Sequence, residues 1–257
     1  FDIYGGIIMG YWDNAKQNAV VASRHTEDMA RKYSNEILAS FKLSCIYTRS
    51  LAPSEPKSQA TFKLINTDSV DAILRLAPEK NAAVLNFASF KEAGGKFLEG
   101  SMAQEECLCH KSFLYNVLRE FEPSYYAVNR KQLNRALYHN TALYTPLILF
   151  KDDKRERLCD VITCAAPNWT TANKYCHVSP DANLQALTSR IEFVKNIALD
   201  NDLDTVILGA YGCGVFGQDP NVVARLIKDI FEFSGLEVIL AVPGKDKNYQ
   251  AFAKVFA

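Results

Sequence analysis

A pair of glycines and a pair of glutamates stand close together in this sequence, after an apolar segment that ends at Phe87. Gly94 and Gly95 have no side chains, so the backbone N–H groups beside them can approach a phosphate. Glu105 and Glu106 offer carboxyl groups that can exchange a proton with a bound substrate. Phosphate binding beside a proton donor indicates a hydrolase that acts on a phosphorylated sugar.

A second glycine-rich segment, residues 209–217, also follows an apolar run and favours the same chemistry. We expect the ring of Phe216 to pack against a sugar face and to fix its orientation. The segment lacks the third glycine and the downstream acid of a dinucleotide-binding fingerprint, and no Gly-Lys-Ser/Thr follows as in a Walker loop. Each loop alone is also compatible with a plain turn, so the hypothesis depends on both loops binding one ligand.

The glutamate pair has a structural alternative as well. Acidic residues in the first turn of a helix complement the helix dipole without any catalytic role. Here, however, the predicted helix begins directly after a phosphate-type loop, so its N-terminus would point toward the same anion. Bound phosphates would raise the pKa of a neighbouring glutamate and keep it protonated enough to act as an acid.

The cysteines and histidines indicate no other reaction centre. Cys107, Cys109 and His110 resemble metal ligands, but no second Cys or His pair follows at zinc-like spacing, so we expect neither a metal nor a cofactor. Cys213 has no histidine near it in the sequence to activate it as a nucleophile. The seven cysteines are scattered through apolar segments, which is typical of a reducing compartment and predicts a cytoplasmic protein.

Composition limits the partners of the chain. Its 257 residues are 48% apolar and 23% charged, and Lys plus Arg equals Asp plus Glu at 29 each. This balance gives no global field to attract a nucleic acid or an anionic membrane, so an anionic ligand must be held locally. No apolar run approaches the ~20 residues that span a bilayer. The opening residues lack the basic region of a signal peptide, so we do not expect one.

Apolar periodicity predicts the elements that position these residues. Strand and helix alternate in the second half of the chain, which favours a three-layer α/β/α sandwich with a mixed or parallel sheet. We predict one domain, 1–257, with an N-terminal helical extension over 13–60, a break in periodicity at 51–56 and a polar surface segment over 119–145. Helices are predicted over 13–42, 69–76, 102–118, 184–199 and 221–233, and strands over 61–66, 82–87, 145–150, 157–165, 205–209 and 236–242.

Ligands of open α/β sheets bind beyond the carboxyl ends of the strands. The two glycine loops follow the predicted strands 82–87 and 205–209. We therefore expect the two loops to face one cleft.

With these residues identified, the chain resembles the microbial-type poly(ADP-ribose) glycohydrolases, a branch of the macrodomain superfamily. That family carries a triple-glycine loop followed several residues later by Gln-Glu-Glu, and here Gly94-Gly95-Lys96 precedes Gln104-Glu105-Glu106. Further similar segments are 64–68, 86–89, 160–163, 166–168, 208–216 and 219–220.

The resemblance implies a macrodomain-like fold that binds ADP-ribose, or poly(ADP-ribose) free or attached to protein, and cleaves the ribose–ribose bond. Glu106 would protonate the leaving oxygen and then activate water, Glu105 would hydrogen-bond the ribose hydroxyls, and Gln104 would hold the pair in place. Backbone amides of 94–97 and 212–216 would grip the diphosphate. The implied substrate contacts are Asn86, Ser89, Gly94, Gly95, Lys96, Phe97, Gln104, Gly212, Cys213, Gly214, Val215, Phe216 and Thr67.

Two positions depart from the family pattern: Lys96 replaces the third glycine, and Ala93 stands where proline is frequent. A lysine resists positive φ and carries bulk toward the pocket, so it would either contact phosphate or narrow the opening. The preference between polymer and mono-ADP-ribose therefore stays open. The sequence also does not specify the oligomeric state. Alternative functions are a mono-ADP-ribosyl hydrolase acting on a protein, nucleic acid or nucleotide derivative, a non-catalytic ADP-ribose-binding module, and a structural protein whose loops bind nothing.

Overall fold

The computed structural model of the protein describes residues 3–48, 55, 57–76 and 80–257, with side chains from Asn14 onward. The predicted break at 51–56 therefore lies almost wholly outside the described residues. The strands are β1 (Cys45–Tyr47), β2 (Thr61–Ile65), β3 (Ala82–Phe87), β4 (Ala142–Lys151), β5 (Glu156–Cys164), β6 (Thr205–Leu208) and β7 (Glu237–Ala241). Within the described part of the chain they form one mixed sheet in the order β1-β4-β5-β3-β6-β7-β2.

Five neighbouring strands of this sheet, from β5 to β2, run parallel, whereas β4 and β1 are antiparallel to their neighbours. The central strand β3 pairs with β5 on one side, with Leu85 opposite Ile162, and with β6 on the other, with Val84 opposite Ile207. Because parallel strands end at the same edge, the loops after β3, β5, β6, β7 and β2 all lie at one edge of the sheet.

Ten α-helices surround the sheet within the described residues. They are α1 (Ile3–Lys32), α2 (Ser34–Leu43), α3 (Ser69–Leu74), α4 (Gln104–His110), α5 (Leu114–Leu118), α6 (Ala127–Asn129), α7 (Trp169–Cys176), α8 (Pro180–Asp200), α9 (Pro220–Phe231) and α10 (Lys247–Phe256). Side chains that precede several helices accept a hydrogen bond from an N–H of the first turn and so fix where the helix begins: Asp68, Asn168, Ser179, Asp219 and Asp246. None of the described helices combines the length and the apolar composition required to cross a bilayer.

The two faces of the sheet carry separate cores. Successive side chains of β3 alternate between them: Leu85 packs with residues of α8, α9 and α10, whereas Val84 packs with residues of α1, α3, α4 and α5. The predicted three-layer α/β/α sandwich with a mixed sheet is therefore confirmed.

The N-terminal helix α1 packs against the segment that carries the glycine and glutamate pairs. A Cβ at Gly100 would overlap the backbone carbonyl oxygen of Ala15, so the glycine allows this close approach. Nδ2 of Asn18 donates to the carbonyl of Gly100 at 3.3 Å. Two more hydrogen bonds join α1 to the turn after α4 and to α5, from His25 Nε2 to the Ser112 carbonyl (2.8 Å) and from Asn116 Nδ2 to the Thr26 carbonyl (3.0 Å).

Two predicted helices are divided in the structure. The helix expected over 13–42 begins at Ile3, and Tyr33, with φ −127° and ψ 32°, separates α1 from α2. The helix expected over 102–118 is interrupted because Ser112 Oγ donates to the carbonyl of Leu108, in α4, and accepts from the N–H of Leu114, where α5 begins.

The prediction of a surface segment over 119–145 is wrong. Phe121, Tyr125 and Tyr126 are buried in the core beside α4 and α5. Short helical turns replace regular periodicity here, at Arg119–Phe121, Glu122–Tyr126 and Asn134–Ala136, and β4 already begins at Ala142. Strand β1 and helices α7 and α10 were not predicted from the sequence.

Candidate active site

The first glycine loop wraps around the carboxyl groups of α4. Gly94 and Gly95 have positive φ values of 66° and 59°, which favour glycine. A Cβ on Gly95 would lie 2.7 Å from Oε1 of Glu106 and 2.9 Å from Oε2 of Glu105. The loop therefore needs a glycine at Gly95 for the additional reason that two carboxyl groups occupy the space of a side chain.

Glu105 is held in a ring of hydrogen-bond donors and is only 3% exposed. Oε2 accepts from the N–H of Ser89 at 2.7 Å, and Oε1 accepts from Nδ2 of Asn86 at 3.2 Å. Burial raises the pKa of this carboxyl to about 8, although the donors Ser89, Asn86 and Gly94 act in the opposite direction and Glu106 adds to the rise. Glu105 therefore holds its proton around neutral pH.

Glu106 is also buried, and its contact to the glycine loop is made with the backbone. Oε1 accepts from the N–H of Lys96 at 2.9 Å, next to the space that a side chain on Gly95 would occupy.

Gln104 is the first residue of the same helix and connects it to the end of β3. Its Oε1 accepts from the N–H of Phe87 at 2.8 Å, and its Nε2 donates to the carbonyl of Leu85 at 2.9 Å. Gln104, together with the hydrogen bond between Asn86 and Glu105, thus fixes the position of α4 relative to β3.

Two polar contacts of this site were missed in the sequence. Ser69, at the start of α3, accepts from Nε2 of Gln104 at 3.1 Å. Thr163, on β5, accepts from Nδ2 of Asn86 at 3.3 Å. Oδ1 of Asn86 is buried and has no hydrogen-bond partner among the described residues. Ser69 comes from a helix and Thr163 from another strand, and no local sequence pattern marks contacts between such distant segments.

The second glycine loop follows β6, the direct neighbour of β3, so both loops leave the same sheet edge side by side. The rings of Phe87 and Tyr211 lie 5.6 Å apart and join the two strand ends. Farther out, Tyr138 stacks on Phe90 of the first loop at 4.1 Å and approaches Phe216 of the second at 6.2 Å. Tyr138 was missed because it lies in the segment predicted to be on the surface.

Several backbone N–H groups of the second loop are available to a ligand. Among the described residues, no acceptor is found for the N–H groups of Gly212, Gly214, Val215 and Phe216. Val215 is 86% exposed, so this turn of the loop faces solvent. A row of N–H groups without internal partners is suited to an anion such as a diphosphate.

The other predicted residues occupy three different positions. Thr67 follows β2, which is separated from β3 by β6 and β7, and its hydroxyl donates to Asp71 at 2.6 Å. It lies at the same sheet edge as the glutamates but makes no hydrogen bond to them. Phe97 is buried against the ring of His110 at 4.7 Å, so its side chain belongs to the core. Burial raises the pKa of the Cys213 thiol to about 12, which makes it a poor nucleophile.

Lys96 has a φ of −105°, which any residue adopts, so the replacement of a glycine by lysine places no strain on the backbone here. Its ammonium group lies 3.1 Å from a carboxylate oxygen of Glu99 on the protein surface. In the described part of the chain, no group of three or more His, Cys, Asp or Glu side chains is arranged to hold a metal ion.

A mixed sheet between two helical layers, with one glycine loop over a buried glutamate pair and a second glycine loop at the same sheet edge, places this protein in the macrodomain class. A family model described as "Microbial-type PARG, catalytic domain" matches residues 13–152. The chain belongs to this family of microbial-type poly(ADP-ribose) glycohydrolases. No curated protein sequence matches the chain significantly.

Solved structures of the same family share the fold over most of the chain. Poly(ADP-ribose) glycohydrolase from Thermomonospora curvata is 25% identical, with a TM-score of 0.81, covering 93% of this chain and 99% of that one. A mutant of that enzyme is similar, at 25% identity and a TM-score of 0.82, with the same shares of both chains covered. The enzyme from Deinococcus radiodurans in complex with ADP-ribose is 30% identical, with a TM-score of 0.75, covering 85% of this chain and 96% of that one.

Proposed function

We propose that this protein binds ADP-ribose at the edge of its sheet and hydrolyses the ribose–ribose bond of poly(ADP-ribose), with Glu106 as general acid and base. The observation that carries the proposal is the position of the glutamate pair. Both carboxyl groups lie directly under Gly95, at the same sheet edge as the exposed N–H groups of the second loop. Family membership and the Deinococcus enzyme in complex with ADP-ribose support the choice of ligand.

The two loops have separate tasks in this scheme. The N–H groups of the second loop bind the diphosphate, and the distal ribose lies beside the first loop with its anomeric carbon next to Glu106. Phosphate charge close to the sugar stabilises the oxocarbenium-like cation that forms when the glycosidic bond breaks. Phe216 and Tyr138 border the cleft and limit how the sugar can turn.

Proton transfer is assigned to Glu106. Its carboxyl group donates a proton to the leaving ribose oxygen as the bond from that oxygen to the anomeric carbon breaks. The resulting carboxylate takes a proton from water while the water oxygen bonds to the anomeric carbon. The products are ADP-ribose and a polymer shortened by one unit, and Glu106 recovers its proton.

Glu105 is assigned to substrate positioning. With its pKa raised to about 8, its carboxyl group is protonated at neutral pH and can donate a hydrogen bond to a ribose hydroxyl. A neutral Glu105 also adds no negative charge beside Glu106. The donors Ser89 and Asn86 hold it in place when the substrate binds.

The experiment that tests the proposal uses Glu106→Gln. We expect this variant to lose turnover of poly(ADP-ribose) by at least about 1,000-fold, because a neutral amide cannot transfer the proton. Its affinity for ADP-ribose should stay within a few-fold of wild type. The measurements are release of free ADP-ribose from labelled polymer, and titration calorimetry with ADP-ribose.

Other outcomes of this experiment would point elsewhere. Tight ADP-ribose binding by the wild-type protein without release of product would identify a binding module. Release only from mono-ADP-ribosylated substrates would identify a mono-ADP-ribosyl hydrolase. Loss of folding in Glu106→Gln, detected by circular dichroism, would mean that the residue is structural.

For the chain as a whole, we propose one catalytic domain with a helical extension over 13–60, and a cytoplasmic location consistent with its seven free cysteines.

A further inference from the structure

A cavity of about 340 Å³ lies beside the first glycine loop and is not used by the mechanism above. Its walls come from Leu98 and Glu99, in the short turn that follows the glycines, from Tyr115 of α5, and from Arg119 just after that helix. A volume of this order accommodates a small organic group the size of a nucleoside.

The cavity and the proposed acid share one stretch of backbone. Gly95 and Lys96 line the cavity, and the N–H of Lys96 donates to Oε1 of Glu106 at 2.9 Å. Along the loop, Phe90 lies toward the second loop, Gly95 covers the carboxyl groups, and Leu98 reaches the cavity. The cavity therefore borders the loop backbone that contacts Glu106.

The lining selects against phosphate and in favour of a neutral group with hydrogen-bond donors. The charged side chains are three carboxylates and two cations: Glu92, Glu99, Glu122, Lys96 and Arg119. Lys96 is paired with Glu99 and Arg119 with Glu120, so the lining offers a diphosphate no uncompensated positive charge. Tyr115 offers a partly exposed aromatic ring and Leu98 an apolar side chain that is 45% exposed, both suited to the face of a base.

We propose that this cavity binds the adenosine of the ADP-ribose unit that leaves when the bond is cut. The inference rests on the proposed function, because in poly(ADP-ribose) the leaving oxygen is carried by the adenosine ribose of the adjoining unit. The adenine stacks on Tyr115, and its amino group and the ribose hydroxyls donate to Glu92 and Glu99. The diphosphate of that unit stays outside in solvent, near Arg119.

The test compares two ligands in the Glu106→Gln background, where neither is consumed. One is the ADP-ribose dimer, which carries the adjoining adenosine, and the other is the methyl glycoside of ADP-ribose, which has no nucleoside as leaving group. We expect the dimer to bind about tenfold tighter than the methyl glycoside, the gain typical of stacking one base. Titration calorimetry measures both affinities.

Filling the cavity should remove this preference. Leu98→Trp puts a larger side chain into the cavity from a partly exposed position. In the Glu106→Gln background it should reduce dimer affinity about tenfold, to that of the methyl glycoside, and leave the methyl glycoside within twofold. The matched control is Leu184→Trp, the same change at a leucine of α8 that is 43% exposed, and it should alter neither affinity.

The outcomes separate this inference from the proposed function. If the dimer and the methyl glycoside bind equally tightly, or if Leu98→Trp weakens both to the same extent, the leaving-group site is wrong while the proposed function stands. If neither ligand binds, both are wrong. Kinetics in the background with Glu106 intact give a second readout: Leu98→Trp should raise KM for the dimer and leave kcat unchanged.

Discussion

Replacing Glu105 by glutamine keeps the shape of the side chain and removes its charge. In the wild-type protein, the carboxyl group is buried and accepts from Ser89 and Asn86. Oδ1 of Asn86 has no partner among the described residues, so rotation of that amide would supply an acceptor for the new NH₂ group. Glu105→Gln should therefore fold like the wild-type protein with its carboxyl group protonated.

The expected effect depends on pH. Burial raises the pKa of Glu105 from 4.5 to about 8, so between these values the folded protein holds a proton that the unfolded chain has released. The free energy of unfolding of the wild-type protein therefore falls as the pH rises through this window. At 1.36 kcal/mol per pKa unit the full shift corresponds to about 5 kcal/mol. Because water and side chains relax around a buried charge, we expect ~2 kcal/mol of it to be observed.

Urea unfolding of the two proteins at pH 5, 7 and 9 tests this expectation. The stability of Glu105→Gln relative to wild type should rise by ~2 kcal/mol from pH 5 to pH 9. Glu192→Gln, a change at an exposed glutamate of α8, is the matched control and should show no such trend. A difference that stays constant across the pH range, or that falls at pH 9, would refute the reasoning.

Two further changes probe the glycine loop. Gly95→Ala should abolish most turnover and lower stability by ~1–3 kcal/mol, because the new Cβ requires a strained φ and displaces the carboxyl group of Glu106; activity and urea-unfolding assays check this. Gly214→Ala, whose Cβ would have no neighbouring atom within 4 Å, is the control for stability. Equal losses of unfolding free energy in the two variants would contradict the prediction. Lys96→Gly should raise activity on long polymer severalfold, since bulk beside the cavity is removed; unchanged kcat/KM on polymer would show that this side chain does not limit access.

The parallel core of the fold was predictable from local sequence. Segments such as 82–87 and 205–208 are short and mostly apolar, as is typical of strands buried on both faces. The rule that parallel strands end at one edge then predicted that both glycine loops lie together. The helix break at Ser112 was not predictable, because it depends on two hydrogen bonds of one hydroxyl to helices on either side.

The errors in the site came from distant contacts. The segment 119–145 has no clear periodicity, so its tyrosines gave no signal that they enter the core. The positions of Ser69 and Thr163 depend on how α3 and β5 pack against β3, which no motif in the sequence specifies. Burial raises the pKa of Glu105, and this cause could not be read from the sequence because it depends on how α4 packs under the glycine loop.

Of the side chains that the structure describes in helix α1, none contacts the glutamate pair, yet the helix touches the chain on both sides of α4, at Gly100 and at Ser112. The distance between those two points is thereby set by a long rigid element instead of by the loop itself. The contacts with α1 therefore limit which substitutions the glycine loop can accept, although α1 lies outside the cleft. A residue at Gly100 with any side chain would separate the helix from the loop, so this position constrains the evolution of the catalytic centre without belonging to it.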